Sequence, residues 1–242
     1  MSADTGYLAL MLDAPLQSWG FASRFQRRTT GLHPTKSGVI GLICAAMGHA
    51  KRPVEEDDLL RQLATLKMTS IAIARDYPRL EDFHTVGGGY DKKTQSQFIP
   101  RKASGGPCDN PTVTRRQYLA DARFGVILTG DRALLERVAA ALQDPVWGVW
   151  FGRKSCIPAA PVFVELCGSQ DAAWKAILRV CKLNEETLME AFTSITEVKD
   201  FDKGTDSLSD QPVSFGDGTS SGPDKRQFAV RRIAVKPGTR QS

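Results

Sequence analysis

Apolar residues run almost unbroken from Tyr7 to Leu12, which predicts a buried strand ending at Asp13-Ala14-Pro15. A polar, arginine-containing connection follows, and then Pro34-Thr35-Lys36-Ser37 leads into the apolar, small-residue segment Gly38 to Met47. Ser37 or Thr35 suits the N-cap and Gly48 the stop, so this segment is predicted to be a helix. A second helix is expected from about Glu56 to Leu66, where an acidic first turn complements the helix dipole and Leu59, Leu60, Leu63 and Leu66 share one face. Lys67 to Arg75 alternates as a strand through Met68, Ile71 and Ile73.

From Asp76 to Arg116 the periodicity largely disappears, and Gly87-Gly88-Gly89 and Gly105-Gly106-Pro107 stand among Lys, Thr, Ser and Gln. Roughly forty residues are too many for a plain connection. The segment is either a disordered insertion or an extended β-hairpin arm with Phe98 and Ile99 inside one of its strands. The return of strand character at Gln117 to Thr129 favours the arm. Asp131 to Leu142 reads as a helix capped by Asp131, with Leu134, Leu135, Val138 and Leu142 on its apolar face. Strand-like pieces at Pro145 to Phe151 and Pro161 to Leu166 flank Gly152-Arg153-Lys154. A helix near Gln170 to Val180, a polar, turn-rich stretch from Asp200 to Lys225 and an alternating strand from Gln227 to Val235 complete the chain. Apart from the second helix, the order up to Phe151 is strand, helix, strand, strand, helix, strand. That is the split βαβ pattern of an α+β, ferredoxin-like (RRM-like) domain, a layout that also underlies RNA-binding sheets.

Composition narrows the function classes. With 242 residues, 41% of them hydrophobic, the chain fills one sizeable core or a main domain with an appendage. No apolar run approaches a membrane span, and the N-terminal one is too short for a signal peptide, so a soluble, cytoplasmic protein is expected. The five cysteines form no CxxC pair, and their odd number argues against a disulfide scaffold; Cys108 is read as an exposed loop residue. His33, His49 and His84 belong to no HxH, HxxE or HExxH pattern, and neither a GxSxG elbow nor a P-loop occurs. No metal and no cofactor is expected.

The net charge of +5 is modest, but its distribution is informative. Acidic stretches at Glu55 to Asp58 and Glu185 to Asp210 leave the positive excess in three groups: Arg24, Arg27, Arg28 and Lys36; Lys92, Lys93, Arg101, Lys102, Arg115 and Arg116; and Lys225, Arg226, Arg231 and Arg232. Each group alone reads equally well as solvated surface. Together they suggest one surface assembled by folding. Aromatic and amide side chains lie among them: Gln17 and Trp19 before Arg24, Gln117 and Tyr118 after Arg116, Phe228 after Arg226. Cations neutralise phosphates, aromatics offer stacking faces and Gln bonds base edges, although for Phe228 core packing is the better reading. Gly87-Gly88-Gly89 suits either a phosphate cradle or, better, the hinge of an arm. Asp82 and His84 could form an acid–base pair, a juxtaposition that is also common by chance.

Six blocks then stand in a telling order: Leu16-Gln17-Ser18-Trp19-Gly20; Pro34 to Leu42; Asp82-Phe83-His84-Thr85-Val86; Arg116 to Phe124; Gly152-Arg153-Lys154-Ser155-Cys156; and Lys225-Arg226-Gln227-Phe228. Together they span most of the chain, and in this order the sequence resembles the CasD-type subunits of Cascade, the type I-E CRISPR surveillance complex, within the RAMP superfamily. Two departures stand out: Phe83 occupies a position where the family often has Tyr, and Gln95 to Pro111 is longer than the family's usual thumb.

The resemblance implies a ferredoxin-like domain over residues 1–84 and 117–166, a β-hairpin thumb inserted at 85–116, and a small β-rich C-terminal part over 167–242. It implies a non-catalytic subunit that holds the 5′ handle of the CRISPR RNA, caps the backbone and contacts the backbone and large subunits. Target DNA would be met only through the complex, and no membrane is involved. Lys36 and Ser37 would meet phosphate at a helix start, Arg24, Arg27, Arg153 and Lys154 would line the handle, and Arg116, Gln117 and Tyr118 would anchor the thumb base. Gln17, Trp19, His84, Arg115 and Arg226 complete the expected RNA-binding set. The alternative is a metal-independent endoribonuclease processing repeat RNA by attack of a 2′-hydroxyl, with His84 and either Tyr118 or Lys36 as its groups. No motif of the processing subtype's catalytic set is present.

Overall fold

A computed structural model describes residues 4–20, 26–51, 57–73, 77–91, 93–101, 105–108, 110–216 and 226–239. Within them the order is β1 (Thr5–Asp13), β2 (Leu16–Gln17), β3 (Arg27–Arg28), α1 (Lys36–Ala46), α2 (Asp58–Thr65), β4 (Lys67–Ala72), β5 (Arg79–Val86), β6 (Thr112–Ala120) and β7 (Arg123–Asp131). Then come α3 (Arg132–Gln143), β8 (Phe163–Cys167), α4 (Gln170–Val180), β9 (Ser194–Glu197), β10 (Asp206–Ser214) and β11 (Gln227–Lys236).

Seven of these strands make one antiparallel sheet in the order β10-β11-β9-β4-β7-β1-β8. Alternate side chains of a strand point to opposite faces, and here both faces are apolar. Leu8, Leu10, Leu12, Phe124, Val126 and Leu128 pack in one core with residues of α1, α2 and α3. Ala9, Met11, Ile71 and Ile127 pack in a second core with Trp174 and Ile177 of α4. The unbroken hydrophobicity of β1 follows from this double burial. The three residues after α3's Asp131 cap show why helix starts were readable: the Asp131 carboxylate accepts the Leu134 amide at 2.8 Å, as Thr35 accepts that of Gly38 in α1.

The arm is a hairpin. β5 pairs antiparallel with β6 from Arg79–Leu119 to Val86–Thr112. The other edge of β6 takes β2, antiparallel at Leu119 and Ala120, and β3, parallel at Arg115 and Arg116. The chain leaves this small sheet for the large one at Asp121, whose φ of 53° is tolerated because a short polar side chain suits the left-handed region. The expected single strand from Gln117 to Thr129 is therefore two strands, β6 and β7.

Other expectations are corrected. Pro145 to Phe151 is not a strand: the amides of Val146 and Trp147 donate instead to the carbonyls of Ala46 and Ala45 at the end of α1. Phe98 and Ile99 lie in no strand; Ser96–Phe98 forms a single 3-10 turn, and Phe98 is exposed. Cys108 is buried rather than exposed, its thiol 3.4 Å from the Asn110 carbonyl. Strand β10 lies in the stretch read as polar and turn-rich, β9 lies just before it where no element was expected, and β9, β10 and β11 extend the large sheet. Glu55, Glu56, Arg75 and Asp76 lie outside the described residues.

Candidate nucleic-acid interface

The base of the arm is set by a close backbone approach. Gly152 has φ +95°, and a Cβ there would lie 1.8 Å from the Ser18 carbonyl oxygen, so only glycine fits. The Ser18 amide donates to the Phe151 carbonyl at 3.0 Å, and Phe151 packs against Trp19 with ring centroids 5.9 Å apart. This places Arg153 across the junction of β3 and β6. Its Nη1 donates to the Gln117 carbonyl at 2.8 Å and its Nη2 to the Arg28 carbonyl at 3.0 Å, with the guanidinium 4.6 Å from the Tyr118 ring centroid. The next residue, Lys154, is exposed, with its ammonium 5.7 Å from the Trp150 ring centroid.

The parallel register of β3 on β6 sets Arg27 beside Arg115 and Arg28 beside Arg116. On β5, Phe83 faces Arg115 and Asp82 faces Arg116. Arg27, Arg28 and Arg115 are exposed, and none pairs with a carboxylate among the described residues. Arg116 is half-buried and donates to Thr114 Oγ1 at 3.0 Å; that hydroxyl in turn donates to the His84 carbonyl at 3.1 Å. The exposed His84 imidazole lies 4.0 Å from the Asp82 carboxylate, and Gln117 donates to Glu81 at 3.3 Å. A cationic surface along one side of a projecting hairpin attracts phosphate and makes binding salt-dependent.

Four of the expected contact residues sit inside the protein. Gln17 is fully buried, its amide donating to the carbonyls of Leu12 at 3.0 Å and Ala122 at 2.6 Å while its oxygen accepts from the Trp19 indole at 3.0 Å. Trp19 and Tyr118 belong to the core. Lys36 has no exposed side-chain surface; its ammonium pairs with Glu197 at 2.9 Å. Burial pushes the Lys36 pKa down, and its bond to Glu197 opposes that shift. The start of α1, expected to meet a phosphate, already holds an anion: Asp210 accepts the Lys36 amide at 2.7 Å and Arg231 at 2.6 and 2.9 Å. Ser37 is half-buried in the first turn, whose cap is Thr35.

Arg226 is exposed at the entry to β11, and Phe228 is 42% exposed rather than packed in the core. Arg24, Lys92, Lys102 and Lys225 lie outside the described residues. The face of the large sheet opposite α1 and α3, which RNA-binding sheets of this layout leave open, carries α4 over β1, β7 and β8. A Cβ on Gly125 would lie 3.0 Å from Ile177, so α4 sits tightly there.

Residue types suited to other chemistry are spoken for. The thiols of Cys44, Cys156, Cys167 and Cys181 are pushed up by burial, that of Cys44 to about 12, which keeps them protonated. Burial lowers His33 to about 4, so its imidazole is neutral near pH 7; it lies 3.3 Å from the Ser70 hydroxyl and steadies the connection from β3 to α1. Among the described residues, no group of three or more His, Cys, Asp or Glu is placed to hold a metal ion, and no helix is long and apolar enough to cross a membrane.

The residue that sequence reasoning missed as a candidate contact is Phe83, 62% exposed on the arm. Its signal was present in the alternation of Phe83 and Thr85 against Val113 and Arg115, which becomes legible only with the β5–β6 register.

Residues 7–234 match the family described as CRISPR-associated protein (Cas_Cas5). The chain is 30% identical over 186 residues to the CRISPR system Cascade subunit CasD of Escherichia coli (strain K12), covering 71% of this chain and 75% of that protein. Among solved structures it resembles a chain of a CRISPR RNA-guided surveillance complex, at 29% identity and a TM-score of 0.70, covering 96% of this chain and 90% of that one. A second similar structure, the crystal structure of a Cas protein, is 28% identical with a TM-score of 0.55, covering 97% and 96%.

Proposed function

Because the chain belongs to the CRISPR-associated protein (Cas_Cas5) family, we propose that it is a non-catalytic RNA-binding subunit of a Cascade-type surveillance assembly, holding the 5′ handle of the CRISPR RNA and capping the backbone in antiviral defence. Its partners would be the CRISPR RNA and the backbone and large subunits, in the cytoplasm, with target DNA met through the complex. The similarity to a Cascade subunit and to a chain of an RNA-guided complex supports this reading. So does the strand order β8-β1-β7-β4 with α1 and α3 on one face, which we read as a ferredoxin-like core.

The observation that carries the reading is the row of exposed arginines, Arg27 and Arg28 on β3 beside Arg115 on the arm, that pair with no carboxylate among the described residues. With α4 covering β1, β7 and β8, the arm and the edge beside it present an accessible basic surface. The nuclease alternative gains no such support, since Lys36 and Tyr118 are buried away from the exposed His84. Incubating the full chain with repeat-derived RNA in chelator tests both. The expected result is bound, intact RNA; specific cleavage that His84→Ala abolishes would overturn the non-catalytic reading.

A further inference from the structure

The distal half of the arm has two unlike faces. In a strand, every second residue shares a face and registered partners point the same way. Phe83, Thr85, Val113 and Arg115 therefore lie together, and the β3 register adds Arg27 to them. Phe83 is 62% and Val113 48% exposed, and the Arg115 guanidinium stands 5.0 Å from the Phe83 ring centroid. Glu81, the acid on this face, lies nearer the base of the arm and is bonded to Gln117. The opposite face is built differently. There Thr114 is buried and bonded to the backbone, Arg116 is tied to Thr114, and Asp82 adds a negative charge next to His84.

An exposed aromatic ring and a branched aliphatic side chain on a projecting two-stranded ribbon are a liability unless something covers them. Here two arginines that pair with no carboxylate among the described residues flank them, which suits a polyanion that also carries flat apolar groups. Resting on the RNA-binding reading above, we infer that the Phe83–Arg115 face is a stacking platform for one unpaired nucleobase of single-stranded RNA, with Arg27 and Arg115 on the adjoining phosphates. A duplex would keep its bases stacked and hidden from the ring, so the ligand is single-stranded. Stacking on one aromatic side chain tolerates any base, and the platform therefore positions the strand without reading its sequence.

The test is a fluorescence anisotropy titration of the full chain with labelled single-stranded repeat RNA, intact and with an abasic site placed at each position in turn. Phe83→Ala should weaken binding about tenfold and leave the salt slope unchanged, Phe83→Tyr should restore it, and Phe83→Leu should not. One abasic position should weaken the wild-type chain by a similar factor and have no further effect on the Phe83→Ala variant. Wild-type affinity in Phe83→Ala overturns the platform while leaving the RNA-binding reading intact. Full recovery with Phe83→Leu also overturns it, because a plain apolar contact would then suffice and the face would suit a protein partner. If the wild-type chain binds no RNA, the underlying reading fails and the platform with it.

Discussion

The Arg153 guanidinium directs two donors at backbone carbonyls, of Gln117 and Arg28, and lies on the Tyr118 ring. Those partners belong to β6 and β3, so the side chain fixes the arm to its neighbouring strand, with two of its donors turned inward to the backbone. Lys154 is exposed and carries its charge at the surface. Arg153→Ala should therefore cost about 1–3 kcal/mol in urea unfolding, as expected for charged hydrogen bonds to the backbone, with the salt slope of RNA binding kept. Lys154→Ala should leave stability unchanged and lower that slope by about 0.7, the release from one phosphate of a single strand. The reverse pattern would exchange the two roles. Residue identity did not foretell this split, nor the burial of Gln17, Trp19 and Lys36. A cation or an amide in a basic stretch looks the same in sequence whether it meets solvent, a carbonyl or a distant Glu197.

At the scale of elements, what was legible depended on local signals. Helices α1 and α3 announced themselves through caps, α2 and α3 through periodic apolar faces, and β1 and β11 through hydrophobic runs and alternation. The arm was legible as an interruption, but its strands reach further down than the expected 85–116 insertion, to Arg79 and Ala120. The division of β6 from β7 was not legible, because one left-handed residue, Asp121, redirects a chain that stays apolar on both sides. Strands β9 and β10 were missed for the opposite reason. Their polar residues, half-buried Glu197 and buried Asp210, have partners on other elements. Gly152 belongs to this scale because it seats the 151–156 turn against Ser18. Gly152→Ala should destabilise the chain by at least about 2 kcal/mol, combining a left-handed alanine with a backbone clash. Hydrogen exchange should show faster exchange at the β3–β6 pairing, and RNA affinity should fall with it. Unchanged exchange there would separate the turn from the arm.

Across the whole molecule, β9, β10 and β11 are tied to α1 through a largely buried ionic chain. Lys36 meets Glu197 at 2.9 Å, Glu197 lies 3.9 Å from Arg231, and Arg231 pairs with Asp210 at 2.6 Å, which returns to the Lys36 amide. Such pairs add little net stability against their desolvation. They make strong demands on geometry and link the start of α1 to β9, β10 and β11 in one arrangement. With α4 covering β1, β7 and β8 on the opposite face, three exposed arginines, Arg27, Arg28 and Arg115, stand together where β3 meets the arm. That placement is the central claim, and the salt dependence of RNA affinity tests it most directly. Anisotropy titrations over a series of salt concentrations should compare the wild-type chain with the combined Arg27→Ala, Arg28→Ala and Arg115→Ala variant. The loss of three phosphate contacts should lower the slope by about 2 without a change in unfolding midpoint. A slope equal to that of the wild type would place the RNA elsewhere on the protein and contradict the account.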